Sequence, residues 1–234
     1  SFARSLVETA GADVESVVLY GSVARGEAVA GVSDINILVL LARIDSHRLA
    51  RLSPLARRWA QAGNTPPLLL TAGEWSRAAD AFAIELADMH DAREILHGRD
   101  PVAGTAVDPA ALRLQAEREL RGKLLQLREG MLLGADDPAE LGRLLLAALP
   151  SFTTYLRAAL RLAGAPVPRT SEEVIEAGAR LVGGDPAAFL EAWRARRRGD
   201  ALRARIEEPL ATGYASLAER ILAYVDTLPE LGRR

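Results

Sequence analysis

The chain has no cysteine, one lysine and three histidines among its 234 residues. The missing cysteine excludes disulfides, thiolate nucleophiles, iron–sulfur clusters and cysteine–zinc sites. His47, His90 and His97 include no HExxH-type pair, so a histidine-based zinc site is not expected either. No apolar run approaches the ~18 residues a membrane helix needs. The longest uncharged stretches, 59–73 and 144–156, are interrupted by Pro, Asn, Ser or Thr. No excess of either charge exists: 29 basic against 31 acidic groups give −2, with a pI near 6.0. That balance argues against a protein that coats nucleic acid. No signal-type leader is read, and the cytoplasm is the default compartment.

What is present is ordinary globular material, 49% hydrophobic and 26% charged. The two halves differ. Residues 1–109 alternate short apolar runs with Gly- and Pro-marked turns. Runs at 17–20, 35–41 and 67–71 read as strands, and the alternation over 82–89 reads as another. Leu49, Leu52, Leu55 and Trp59 have helical spacing between the second and third runs. Residues 110–228 show no convincing strand. Leu112, Ala116, Leu120, Leu124 and Leu127 recur at three to four residues, and breaks fall at 136–138, 164–166, 183–186 and 198–200. The expected fold is α+β: a mixed sheet with flanking helices over 1–104, then a bundle of about five helices over 105–234. The boundary is marked by Gly98, Pro101, Gly104 and Pro109. Arginine outnumbers lysine 28 to 1, which reads as a coding bias and leaves Lys123 alone of its kind.

The chemistry concentrates in residues 17–41, VVLYGSVARGEAVAGVSDINILVLL. An apolar strand ends at Gly21-Ser22, and a second begins after Ser33-Asp34-Ile35-Asn36. Glycine lets a backbone approach a ligand closely. Ser22 adds a hydroxyl and N–H groups at the start of a turn, a natural phosphate seat. Arg25 supplies a cation. On an extended strand Asp34 and Asn36, two residues apart, leave the same face, and such a pair can ligate a hard divalent cation.

This stretch resembles the signature of the polymerase-β-type nucleotidyltransferase superfamily. That signature is an apolar strand, Gly-Ser, and an Asp-x-Asp/Glu pair about a dozen residues later. The Ala24-Arg25-Gly26 extension is typical of its small prokaryotic members. The whole chain looks like an uncharacterised bacterial group of predicted nucleotidyltransferases, and its outline is similar to kanamycin and streptomycin nucleotidyltransferases. The resemblance implies Mg²⁺ (or Mn²⁺) held by Asp34, Asn36 and a third acid, with ATP or another nucleoside triphosphate as substrate. It implies Gly21, Ser22 and Arg25 at the phosphates, with Lys123 as a further triphosphate contact. The implied reaction is transfer of a nucleoside monophosphate, AMP from Mg-ATP, to a hydroxyl on a small molecule or protein.

The second acid of the signature is Asn36 here, which ligates without charge. A unit pair at ~4 Å is worth roughly 4 kcal/mol at an effective dielectric of 20, so this loss weakens a metal site. A catalytically degenerate nucleotide- or partner-binding protein is therefore the alternative, and a complex-forming scaffold is a third. For the third acid, strand alternation over 81–87 favours Glu85, with Asp88 read as a cap before a helix at 92–96. The expected partners are a nucleotide and a hydroxyl acceptor. A second copy of the chain stays open, and neither membrane nor nucleic acid is expected.

Overall fold

The computed structural model describes residues 2–29 and 33–228. It divides into two compact units that meet in sequence between Val107 and Asp108.

The first unit begins with α1 (Phe2–Ala10), leads through a short 3₁₀ turn into β1 (Val14–Tyr20), and returns along β2 (Asn36–Leu41). Next come α2 (Ser46–Gln61), β3 (Leu68–Thr71), α3 (Ala72–Arg77), α4 (Ala83–Asp91) and β4 (Arg93–Gly98). The sheet order is β3-β2-β1-β4. β1 runs antiparallel to β2 and β4, whereas β2 and β3 are parallel, joined by the α2 crossover. Asp45 caps α2 by accepting from Arg48 N, and Thr71 with Glu74 forms a capping box on α3.

Both faces of the sheet are buried, which is why β1 and β2 read as continuous apolar runs. Val17, Ile37, Val39 and Leu41 pack against α1 and α2. Val18, Tyr20, Leu38 and Leu40 face the other way, onto Trp75, Leu86, Met89 and Val102.

Two expectations are corrected here. Residues 82–89 are not a strand: Ala83–Asp91 is helix α4, with Ala83, Ile84, Leu86, Ala87 and Met89 all buried. Conversely, the expected helix at 92–96 is strand β4, so Asp88 caps nothing there. The physical cause is burial over a broad face of α4. Five of its nine residues are apolar and spread over that face, and so short a run shows no decisive period. The residue types lean to helix, since Ala, Glu, Leu and Met are helix formers.

The second unit contains α5 (Pro109–Leu133), α6 (Pro138–Leu162), α7 (Ser171–Leu181), α8 (Ala187–Arg198) and α9 (Pro209–Thr227) among the described residues. The five-helix reading and the breaks between the helices hold. Asp108 and Asp137 cap α5 and α6, Thr170 and Glu173 box the start of α7, and Gly199 ends α8 at φ 71°. Phe152, Phe189 and Tyr214 fill the core, and the Tyr214 hydroxyl donates to Leu145 O at 3.0 Å. The fold is thus α+β, a four-stranded mixed sheet followed by helices. No described helix is long and apolar enough to cross a membrane.

Candidate functional site

The end of β1 sets the geometry. Tyr20 is its last residue and pairs with Asn36, the first of β2. Gly21 follows at φ 79°, a left-handed conformation that favours glycine. The chain then closes into a tight turn. Arg25 N donates to Gly21 O at 3.0 Å, Gly26 N to Val23 O at 3.0 Å and Glu27 N to Ser22 O at 2.9 Å. The far end is tied by Ser33, whose Oγ accepts from Val29 N while its own N donates to Val29 O, both at 2.9 Å.

Gly21 is also the point of closest packing. A Cβ there would lie 2.6 Å from Asn36 Nδ2 and 3.5 Å from Asp88 Oδ2. The missing side chain therefore lets the Asn36 amide, the turn and α4 meet at one corner.

Helix α4 delivers the acids to that corner. Glu85 and Asp88 are three residues apart and share a helix face. Arg25 Nη1 donates to Asp88 Oδ1 at 2.5 Å, and the two side chains are only 8% and 12% exposed. Arg25 Nε lies 3.6 Å from Glu27 Oε2 and, buried, has no hydrogen-bond partner among the described residues. Burial drives the Tyr20 hydroxyl far above the ordinary tyrosine range, and the negative charges of Glu85 and Asp88 push it the same way. The corner is thus a neutral phenol, a neutral amide, one arginine, the Glu27 carboxylate and a carboxylate pair on a helix.

The structure brings together Gly21, Arg25, Asn36 and, through Tyr20, Glu85. Ser22 is half-buried beside them in the turn. Asp34 lies ahead of β2 and is exposed, so strand alternation does not govern its direction. Lys123 lies on α5 of the second unit, outside the unit that carries the turn. Sequence reasoning weighed Asp88 against Glu85 as the third acid and favoured Glu85, and it did not name Tyr20. The Glu85-x-x-Asp88 spacing is the signal that finds both acids once the segment is read as helix.

Asp34, Asn36 and Glu85 offer hard oxygen donors of the kind Mg²⁺ takes, together with phosphate oxygens. Their chemistry fits such an ion, with the charge of two carboxylates rather than three. Among the described residues, no group of three or more His, Cys, Asp or Glu side chains is arranged to hold a metal ion. Asp88 is engaged by Arg25. No protein-family model and no curated protein matches this chain.

Proposed function

We propose that the first unit binds a nucleoside triphosphate at the 21–27 turn and transfers its nucleoside monophosphate, AMP in the case of Mg-ATP, to a hydroxyl acceptor. The observation that carries this reading is the Tyr20–Asn36 pairing immediately before the left-handed Gly21. It sets Ser22 and the Asp34–Asn36 segment at the same end of the sheet.

The residues divide the work as follows. Ser22 and the turn N–H groups hold phosphate oxygens. Arg25 offsets their charge. Asp34, helped by Asn36 and Glu85, would hold Mg²⁺, which when bound neutralises the triphosphate. Glu85 takes the proton of the acceptor hydroxyl. The acceptor oxygen bonds to the α-phosphorus, the bond to pyrophosphate breaks, and pyrophosphate leaves. Such chemistry needs positioning and charge neutralisation more than a protein nucleophile, which suits a chain without cysteine.

A second reading is a binding protein that has lost turnover. The Arg25–Asp88 ion pair favours it, because it spends a cation and an acid on each other beside a position already lacking a carboxylate at Asn36. Calorimetry with ATP and Mg²⁺ or Mn²⁺, paired with transfer of label from α-labelled ATP, separates the two. Label transfer abolished by Asp34→Ala supports the enzyme, and metal-dependent binding without transfer supports the binding protein. Asn36→Asp should raise metal affinity about tenfold. No change in affinity on Asn36→Asp counts against the metal assignment, and no nucleotide binding at all refutes both readings.

A further inference from the structure

The opposite face of the sheet carries a cavity of about 680 Å³ that the turn chemistry does not use. Small-molecule sites typically run from roughly 300 to 1,000 Å³ and are mostly apolar with a few polar groups. This one has that character. Leu19 and Ile37 line it from the sheet, Phe2 and Val7 from α1 and Trp59 from α2, and His97 of β4 brings a polar edge. The Phe2 and Trp59 rings lie 4.4 Å apart at 42°. Trp59 Nε1 is already donated to Thr65 O at 2.8 Å, so the ring offers apolar surface to an occupant.

Two further lining residues tie the cavity to the turn. Val23 follows Ser22 within it, and Ile35 stands between Asp34 and Asn36. The cavity therefore shares its rim with both halves of the corner, from the face opposite Asn36. Its charged groups, Arg4 and Glu8, are one of each sign, so net charge does not select the ligand.

We propose that this cavity binds a planar, largely apolar small molecule bearing a hydroxyl. The polar edge at His97 is where that hydroxyl would sit. The proposal rests on the cavity alone, since Asn36, Glu85 and Asp88 belong to the other face of the sheet.

The test uses 2-naphthol as the probe, titrated calorimetrically into the full chain without nucleotide. Saturable binding is expected, weakened at least tenfold by Val7→Trp, which fills the cavity, and by Phe2→Ala, which removes an aromatic wall. Gln126→Ala, on the exposed face of α5, should leave it unchanged. Circular dichroism and the melting temperature verify that each variant is folded, and Phe2→Ala carries the test if Val7→Trp does not fold. Absence of saturable binding, or binding indifferent to both variants, overturns the site. Displacement of naphthol by ATP overturns this occupant, because the cavity then holds the nucleobase. Naphthol binding by a protein that binds no ATP upholds the cavity and refutes the nucleotidyl reading of the turn.

Discussion

Gly21→Ala probes the corner most directly. At φ 79° an L side chain costs roughly 1–2 kcal/mol. The new Cβ would also sit 2.6 Å from Asn36 Nδ2, closer than real Cβ contacts allow. Asn36 is half-buried at the start of β2, so its amide can move, at about 0.5–1.5 kcal/mol for leaving its rotamer. Against these stands a gain of about 0.4–1 kcal/mol, because alanine stiffens the unfolded chain. The net expectation is a loss of about 1.5–2 kcal/mol in the first unit. Urea unfolding in a Trp193→Phe background reads that unit alone, since Trp59 and Trp75 then supply the emission. Adding Asn36→Ala should return about 1 kcal/mol, because it relieves the clash and leaves the strained φ. A Gly21→Ala transition that coincides with the parent refutes the left-handed turn. A double variant no better than the single one refutes the close approach of Asn36.

Removing one partner of the Arg25–Asp88 pair strands a buried charge, so Arg25→Leu should cost about 3 kcal/mol. The double variant Arg25→Leu/Asp88→Leu should cost less than either single change, as a double-mutant cycle in urea would show. In the second unit, a Cβ on Gly142 would fall 1.9 Å from the backbone oxygen of Leu202. Backbone cannot step aside as a side chain can, so Gly142→Ala should destabilise that unit by about 3 kcal/mol, read by Trp193 emission. Asp100 is held below the ordinary aspartate value by its hydrogen bonds from Arg93, as are Asp45, Glu74, Asp137 and Glu173 by the N–H groups and hydroxyls they cap. A depressed carboxyl contributes stability above its unfolded value, 3.8 for Asp and 4.5 for Glu, and loses it as pH falls through the folded value. The urea midpoint should therefore be flat near neutrality and drop below those values, and Asp100→Asn should flatten part of the drop. At the alkaline end, burial raises Tyr20 and Tyr214 above the ordinary range of 10.0. Stability should fall as pH rises past that value, because only the unfolded chain then ionises these phenols. Ultraviolet titration should show late phenol ionisation that diminishes in Tyr20→Phe and again in Tyr214→Phe.

Local chemistry carried much of the fold. The helices of the second unit were legible because apolar residues recur with the helical period between Asp, Gly and Pro breaks, although α6 is buried nearly all round over 152–160. The strands β1 and β2 were legible because a sheet buried on both faces needs unbroken apolar runs. Gly21, Ser22, Arg25 and Asn36 could be named as neighbours because antiparallel pairing sets the end of β1 beside the start of β2.

Long-range packing decided the rest. Residues 83–89 bury a broad face in a helix of only nine residues, so no period in their apolar pattern distinguished helix from strand. The polar-edged segment Arg93–Gly98 becomes a strand because β1 offers it a partner more than seventy residues back in the chain. Which acid meets the turn followed from that exchange. On a helix Glu85 and Asp88 point the same way, and Asp88 reaches Arg25 across 63 residues of chain. The cavity between α1, α2 and the sheet has no sequence signature, because its walls are mostly half-buried apolar residues from separate elements that do not close over one another. Residue types and their spacing could specify the elements and the turn. Which surfaces face one another depends on burial summed over the whole unit, and only the folded chain computes that sum.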